Sequence, residues 1–164
     1  MPVLFRLYAP GDFAQLYAIE EVCFQPPHRF NRHYMRQLVS SARGATWVAE
    51  EGNRLAGFAI VEWTQEIGGV VAYIQTIEVA PEWRGRGVGG ELLQRAEQSA
   101  RRVNAKAIWL HVDAENRPAI ALYQRDGYLC EGKVDHYYGR GRAGLIFAKD
   151  LPKDLAGEGQ IEPV

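Results

Sequence analysis

Residues 78–97, EVAPEWRGRGVGGELLQRAE, constrain this chain more than any other stretch. The β-prone run VVAYIQTIEVA leads into Pro81, which stops a strand because it has no N–H for a ladder. Glycines at 85, 87, 89 and 90 then interleave with Arg84, Arg86 and Val88, and Leu92, Leu93 and Ala96 follow at helical spacing. Strand, side-chain-free turn and helix in that order aim several free backbone N–H groups at one spot. The helix terminus behind them carries about half a positive charge. The stretch is suited to a phosphate-bearing ligand.

Three ligand classes fit such a string. An Arg-Gly segment can track nucleic acid, but this is one short copy in a chain of net charge −1, so no nucleic-acid partner is expected. Gly85-x-Gly87-x-x-Gly90 matches a dinucleotide fingerprint, with Asp113 as the ribose acid. That fingerprint needs its first glycine directly after the strand, yet residues 80–84 intervene, and too little chain follows for two mononucleotide halves. The third reading is Arg84-x-x-Gly87-x-Gly89 opening a helix, with a pyrophosphate on its amides and charge from Arg84 and Arg86. The plain alternative is a surface loop.

Composition sets the outer limits. A chain of 164 residues with 47% apolar content fits one domain with a real core. Cys23 and Cys130 are far apart and lack metal-ligand spacing, so a reduced interior and no metal are expected. Neither a basic leader with a long apolar run nor a membrane-length apolar stretch is visible. A cytoplasmic protein without a membrane partner, monomer or homodimer, is the resulting expectation.

Periodicity predicts a strand over 2–9 and a helix from Phe13 to Cys23. A prolyl loop with Pro26 and Pro27 follows, then a second helix capped by Asn31. A hairpin turns at Glu51-Gly52-Asn53, and a long strand runs over 70–80. Beyond the glycine helix come a strand over 105–113, a short helix capped by Asn116 with Pro118 in its first turn, and a closing hairpin, 128–138 with 143–151. Residues 152–164 read as a loose tail. The order β-α-α-β-β-β-α-β-α-β-β predicts an α/β fold in a single domain over 1–151: one mixed, mostly antiparallel sheet of about seven strands with helices on both faces.

The Arg84-x-x-Gly87-x-Gly89 segment, after Ile77-Glu78-Val79-Ala80-Pro81, is similar to the acetyl-CoA signature of the GNAT acetyltransferases. NRPAIALYQRDGY, residues 116–128, resembles the second acetyl-CoA segment of that family, and the element order matches from 2 to about 151. CFQPP, YIQTIEV, WLHV and HYY resemble the N-terminal acetyltransferases among them.

The resemblance implies an acetyl-CoA-dependent N-acetyltransferase acting by direct attack in a ternary complex. The acceptor is expected to be the α-amine of a protein or peptide N-terminus. A small-molecule amine, or a non-catalytic acyl-CoA sensor, are the alternatives. Acetyl-CoA would lie on Arg84, Gly85, Arg86, Gly87, Val88, Gly89 and Gly90, with its arm along Ile77 and Val79 and against Asn116. Tyr123 is the expected general acid, since a phenol near ~10 holds its proton at neutral pH. Its other reading is core packing. His111 with Tyr73 is the expected base, and Glu78 the second candidate. An imidazole near ~6.5 suits an α-amine near ~7.7–8.0 better than a lysine near ~10.4. Phe24, Pro26, Pro27, Tyr73, Tyr137 and Tyr138 would wall the acceptor groove, with Arg140 and Arg142 as a cationic rim favouring acidic acceptors.

Overall fold

The computed structural model describes residues 2–153, so most of the expected tail, from 154 onward, lies outside the described residues. The elements are β1 Leu4–Leu7, α1 Phe13–Cys23, α2 Arg32–Val39, β2 Gly44–Glu51, β3 Arg54–Glu66, β4 Gly69–Val79, α3 Val88–Arg102, β5 Ala107–Asp113, α4 Arg117–Arg125, β6 Leu129–Val134 and β7 Gly144–Asp150. This is the predicted order. They form one seven-stranded sheet, β1-β2-β3-β4-β5-β7-β6, antiparallel throughout except for the parallel pair β4–β5.

That parallel pair shapes the molecule. It holds for only three residue pairs, Val71–Ala107, Ala72–Ile108 and Tyr73–Trp109. Beyond Tyr73 the strands part. The cause lies on the other edge of β4: the register jumps from Ile60–Thr76 to Val61–Ile74, leaving Gln75 as an extra residue. A bulge of this kind bends its strand and steepens the local twist. β5 meanwhile stays paired to β7 as far as Asp113–Gly144.

The core divides along the same split. One lobe gathers Phe13, Leu16, Met35, Val48 and Phe58, and the other Ile108, Leu110, Tyr128 and Phe147. Helix α3 joins them, giving fully buried Leu92 to the first and Leu93 to the second. Each such leucine contributes about 1.5–3 kcal/mol of burial.

Two expectations change. β1 is four residues long rather than eight. β6 ends at Val134, so Tyr137 and Tyr138 lie on a connection and not on an edge strand. That connection bonds to itself: Tyr138 N–H to Arg142 O at 3.0 Å, Arg142 N–H to Gly139 O at 3.0 Å, and Gly141 N–H to His136 Nδ1 at 2.8 Å. His136, Gly139 and Gly141 take positive φ there, which a continuing strand cannot accommodate.

Candidate active site

A cleft follows the parting of β4 and β5. Its two chambers, about 520 and 820 Å³, share walls at Cys23, Phe24, Ile77, Asn116, Ala119 and Tyr123.

The smaller chamber ends at the glycine turn. Gly85 and Gly87 sit at φ +77° and +79°, a region that L side chains rarely adopt, and a Cβ on either would meet nothing within 4 Å. Gly87 is the N-cap of α3, and Glu91 N–H is the first to bond back, to Gly87 O at 3.1 Å. Among the described residues, the N–H groups of 85–90 have no protein acceptor. They form an open cradle at the start of a 15-residue helix, which fits a pyrophosphate. Gly89 and Gly90 let Leu122 of α4 close to 3.6 and 3.7 Å of where their Cβ atoms would be.

The arginines differ from the sequence reading. Arg84 lines the chamber, but its Nε donates to Val79 O at 2.9 Å and its guanidinium reaches Cys23 Sγ at 3.5 Å. It ties down the end of β4. Arg86, between two left-handed glycines, points to solvent and does not line the chamber. Arg125, at the end of α4, supplies a lining cation instead.

The free edge of β4 forms the floor. Ala80 N–H bonds to Ala56 O on the β3 side at 2.8 Å. Alternation along an antiparallel pair therefore turns Ile77 and Val79 outward, N–H groups toward the split. Asn116 Oδ1 accepts from Ala119 N–H at 3.2 Å and caps α4 as expected, at the junction of the chambers. Tyr123 is 7% exposed and lines both chambers. Its hydroxyl has no partner among the described residues, and burial pushes its pKa well above the ordinary phenol value.

The larger chamber holds the acid–base candidates. His111 Nδ1 lies 2.8 Å from the Tyr73 hydroxyl. Burial lowers the imidazole pKa. Burial, and then Tyr137 nearby, push the Tyr73 phenol far up, so it stays a neutral hydroxyl. Aromatic rings surround the pair: Trp109 edge-on to Tyr73 at 4.6 Å, Tyr137 stacked on His111 at 4.3 Å, and Tyr138 beyond.

Three expected roles move. Glu78 lines the smaller chamber and not this one; it is 3% exposed, beneath α1, with Thr76 Oγ1 donating to Oε2 at 2.8 Å. Burial and the adjacent Glu20 carboxyl push it well above the usual carboxylate range. Among the described residues, Glu78 Oε1 and Glu20 Oε1 both lack a hydrogen-bond partner. Phe24 walls both chambers, but Pro26 and Pro27 occupy the tip of a turn closed by His28 N–H on Gln25 O at 2.9 Å, and they face solvent. The cationic rim is reduced to Arg142, which lines the larger chamber but is paired with Asp113 and Glu115, while Arg140 lies outside the cleft.

Sequence reasoning missed Glu20, Cys23, His28, Leu122 and Arg125 as cleft residues. For Leu122 a signal existed, because it stands three residues after Ala119 on the same side of α4; Arg125, two residues past Tyr123, shares no such spacing with Ala119 or Tyr123. The Cys23 thiol, pushed up to about 11 by burial first, reads as a neutral wall rather than a nucleophile.

The model of the Acetyltransferase (GNAT) family matches residues 13–128. An N-alpha-acetyltransferase of Sulfurisphaera tokodaii is 26% identical over 134 residues, 76% of this chain and 80% of that protein. The streptothricin acetyltransferase of Streptomyces lavendulae is 43% identical over 77 residues, 45% of this chain but only 38% of that enzyme. The solved structure of Arabidopsis thaliana NAA60 with a bisubstrate analogue superposes with a TM-score of 0.82 at 23% identity, covering 93% of this chain and all of that one.

Proposed function

Because the chain belongs to the acetyltransferase (GNAT) family, we propose that it acetylates the N-terminal α-amine of a protein or peptide, taking the acetyl group from acetyl-CoA by direct transfer within a ternary complex. Acetyl-CoA supplies the acetyl group as a thioester, already activated toward amines. The chain's own residues bind, polarise and move protons.

The N–H groups of Gly85 to Gly90 hold the pyrophosphate, with Arg125 alongside. The outward N–H groups of Ile77 and Val79 pair with the pantetheine amides and face the thioester oxygen, where preorganised donors are most effective. Tyr73 and His111 take one proton from the amine. With the phenol neutral, its hydroxyl donates to Nδ1 of the Nε2–H tautomer, leaving an oxygen lone pair toward the acceptor. Tyr123 returns one proton, to the departing sulfur. Phe24, Tyr137 and Tyr138 wall the acceptor chamber.

The observation that carries this reading is the Tyr73–His111 contact opening into the larger chamber. An imidazole is far closer in basicity to an α-amine near ~7.7–8.0 than to a lysine near ~10.4. The N-alpha-acetyltransferase likeness spans three quarters of the chain. The 43% likeness to streptothricin acetyltransferase favours a second reading, a small amine as acceptor. Thiol release from acetyl-CoA decides between them. Turnover with N-terminal peptides above that with streptothricin or simple amines supports the proposal. The reverse order selects the second reading, and binding without turnover leaves an acyl-CoA sensor.

A further inference from the structure

We propose that Tyr137 is a positioning residue for the acid–base pair: its ring lies flat on His111 and fixes the imidazole plane, so that Nδ1 stays on the Tyr73 hydroxyl. This rests on the reading that Tyr73 and His111 accept the amine's proton.

The stacking is specific to one neighbour. Tyr137 and His111 have ring centroids 4.3 Å apart and planes 11° from parallel. The other rings against His111 meet it edge-on, Trp109 at 62° and Tyr73 at 66°. An imidazole turns about a broad, roughly two-fold torsion, so edge contacts alone leave it free to rotate. A flat partner removes that freedom and holds Nδ1 at 2.8 Å from the Tyr73 oxygen.

The backbone provides a seat for this ring. A Cβ added to Gly144 would meet Cβ, Cγ and Cδ2 of Tyr137, each at 3.0 Å. Gly144 pairs with Asp113, two residues beyond His111 and on the same face of the sheet. The Tyr137 ring therefore fills the place that a side chain at 144 would take. Tyr138 backs it edge-on at 4.9 Å and 74°, and the connection's own hydrogen bonds hold both.

The ionisable groups around His111 bear on its titration. Tyr73 faces it from β4, and Tyr137 and Tyr138 from the connection. Asp113 and Glu115, both engaged by Arg142, lie at the chamber mouth. Glu20, His28 and Tyr34 line the chamber from α1, the prolyl loop and α2, and β7 opposes His111 with apolar Ile146. Removing the Tyr137 ring changes none of these charges and lets water onto the imidazole.

The test compares Tyr137→Ala, Tyr137→Phe and Gly144→Ala with the wild type. Long-range ¹H–¹⁵N spectra of the ligand-free protein report the His111 tautomer and titration, with His111→Gln assigning the signal. Steady-state kinetics across pH 5–9 report kcat and KM. In Tyr137→Ala, kcat should fall about 10- to 100-fold, as expected for a misplaced catalytic group. The His111 midpoint should rise toward ~6.5 and its tautomers should mix. Tyr137→Phe keeps the flat face, so the tautomer and acid limb should remain those of the wild type. Gly144→Ala displaces the ring while leaving every catalytic side chain in place, and should shift the spectrum in the same direction by less. An unchanged His111 spectrum in Tyr137→Ala overturns the proposal. So does a Tyr137→Phe whose loss equals that of Tyr137→Ala and lies in KM, which makes the hydroxyl an acceptor contact. The spectra need no acceptor: if His111→Gln leaves kcat/KM unchanged, the base assignment fails separately from the stack.

Discussion

Tyr73 is the last residue of β4 paired with β5, and its hydroxyl spans the start of the split to Nδ1 of His111, two residues past the parting, at 2.8 Å. The proposed base is therefore assembled where the two halves of the sheet are still fixed to each other. Only the neutral imidazole can take a proton. Because burial lowers its pKa, protonation disables it as pH falls through a value below the ordinary ~6.5. For a peptide acceptor, log kcat/KM should show two acid limbs, one below ~6.5 from His111 and one near ~7.7–8.0 from the free α-amine. His111→Gln should erase the lower limb and spare the upper. A mutant that keeps both limbs assigns the lower one elsewhere.

Tyr123→Phe retains the buried ring and removes only the hydroxyl, which has no hydrogen-bond partner to lose among the described residues. kcat should drop by roughly 10²–10⁴ if this group protonates the leaving sulfur. Acetyl-CoA affinity and melting temperature should hardly move, since a contact made only in the transition state is absent from both. A folded Tyr123→Phe protein with near wild-type kcat would return Tyr123 to the core.

Substitutions in the glycine cradle should separate binding from folding. Gly89→Asp places a carboxylate where an anion is expected, with Leu122 and Val79 in ordinary contact with the new Cβ at 3.6 and 3.7 Å. Calorimetry should find acetyl-CoA binding lost while far-UV circular dichroism stays native. Gly87→Val instead strains the left-handed N-cap, costing on the order of 1–2 kcal/mol of stability in addition. Retained affinity in Gly89→Asp would move the pyrophosphate off the cradle.

Glu78 gives a stability signature. Its folded pKa is raised, by burial first and then by Glu20, so folding takes up a proton once the unfolded chain has ionised. Its stabilising effect is full below about pH 4.3 and declines as pH climbs toward the folded pKa. Glu78→Gln cannot ionise. Its melting temperature should overtake that of the wild type as pH rises from 5 to 9, by about 2–4 °C per kcal/mol relieved. Parallel curves would mean that Glu78 does not titrate in this range.

Sequence patterns carried the element order because hydrophobic periods of 2 and 3.6 are local properties. They carried the glycine cradle because a positive φ needs a residue type, and the Asn116 cap because a cap needs a side-chain acceptor. Tyr73, His111 and Tyr123 came from the resemblance rather than from spacing. The misses have one physical origin. Arg84, Arg86 and Arg142 look like free cations in a string of letters, and which of them meets Val79 O, solvent or Asp113 depends on tertiary neighbours. Pro26 and Pro27 announced a turn correctly, but not which side of it faces the cleft. Tyr137 and Tyr138 suited a strand by propensity, and His136, Gly139 and Gly141 overrode that with left-handed backbone.

The bulge at Gln75 has a consequence for exchange with solvent. Along β4, alternate amides face opposite environments: Glu78 turns toward β3, while Ile77 and Val79 face the open split. Deuterium should therefore enter this strand in alternation, quickly at 77 and 79 and slowly between them, in a strand whose side chains are otherwise well packed. On the proposed reading a bound pantetheine arm completes the missing ladder, so that protection should become uniform along the strand. The slowing at those two amides would register occupancy of the cleft without any turnover.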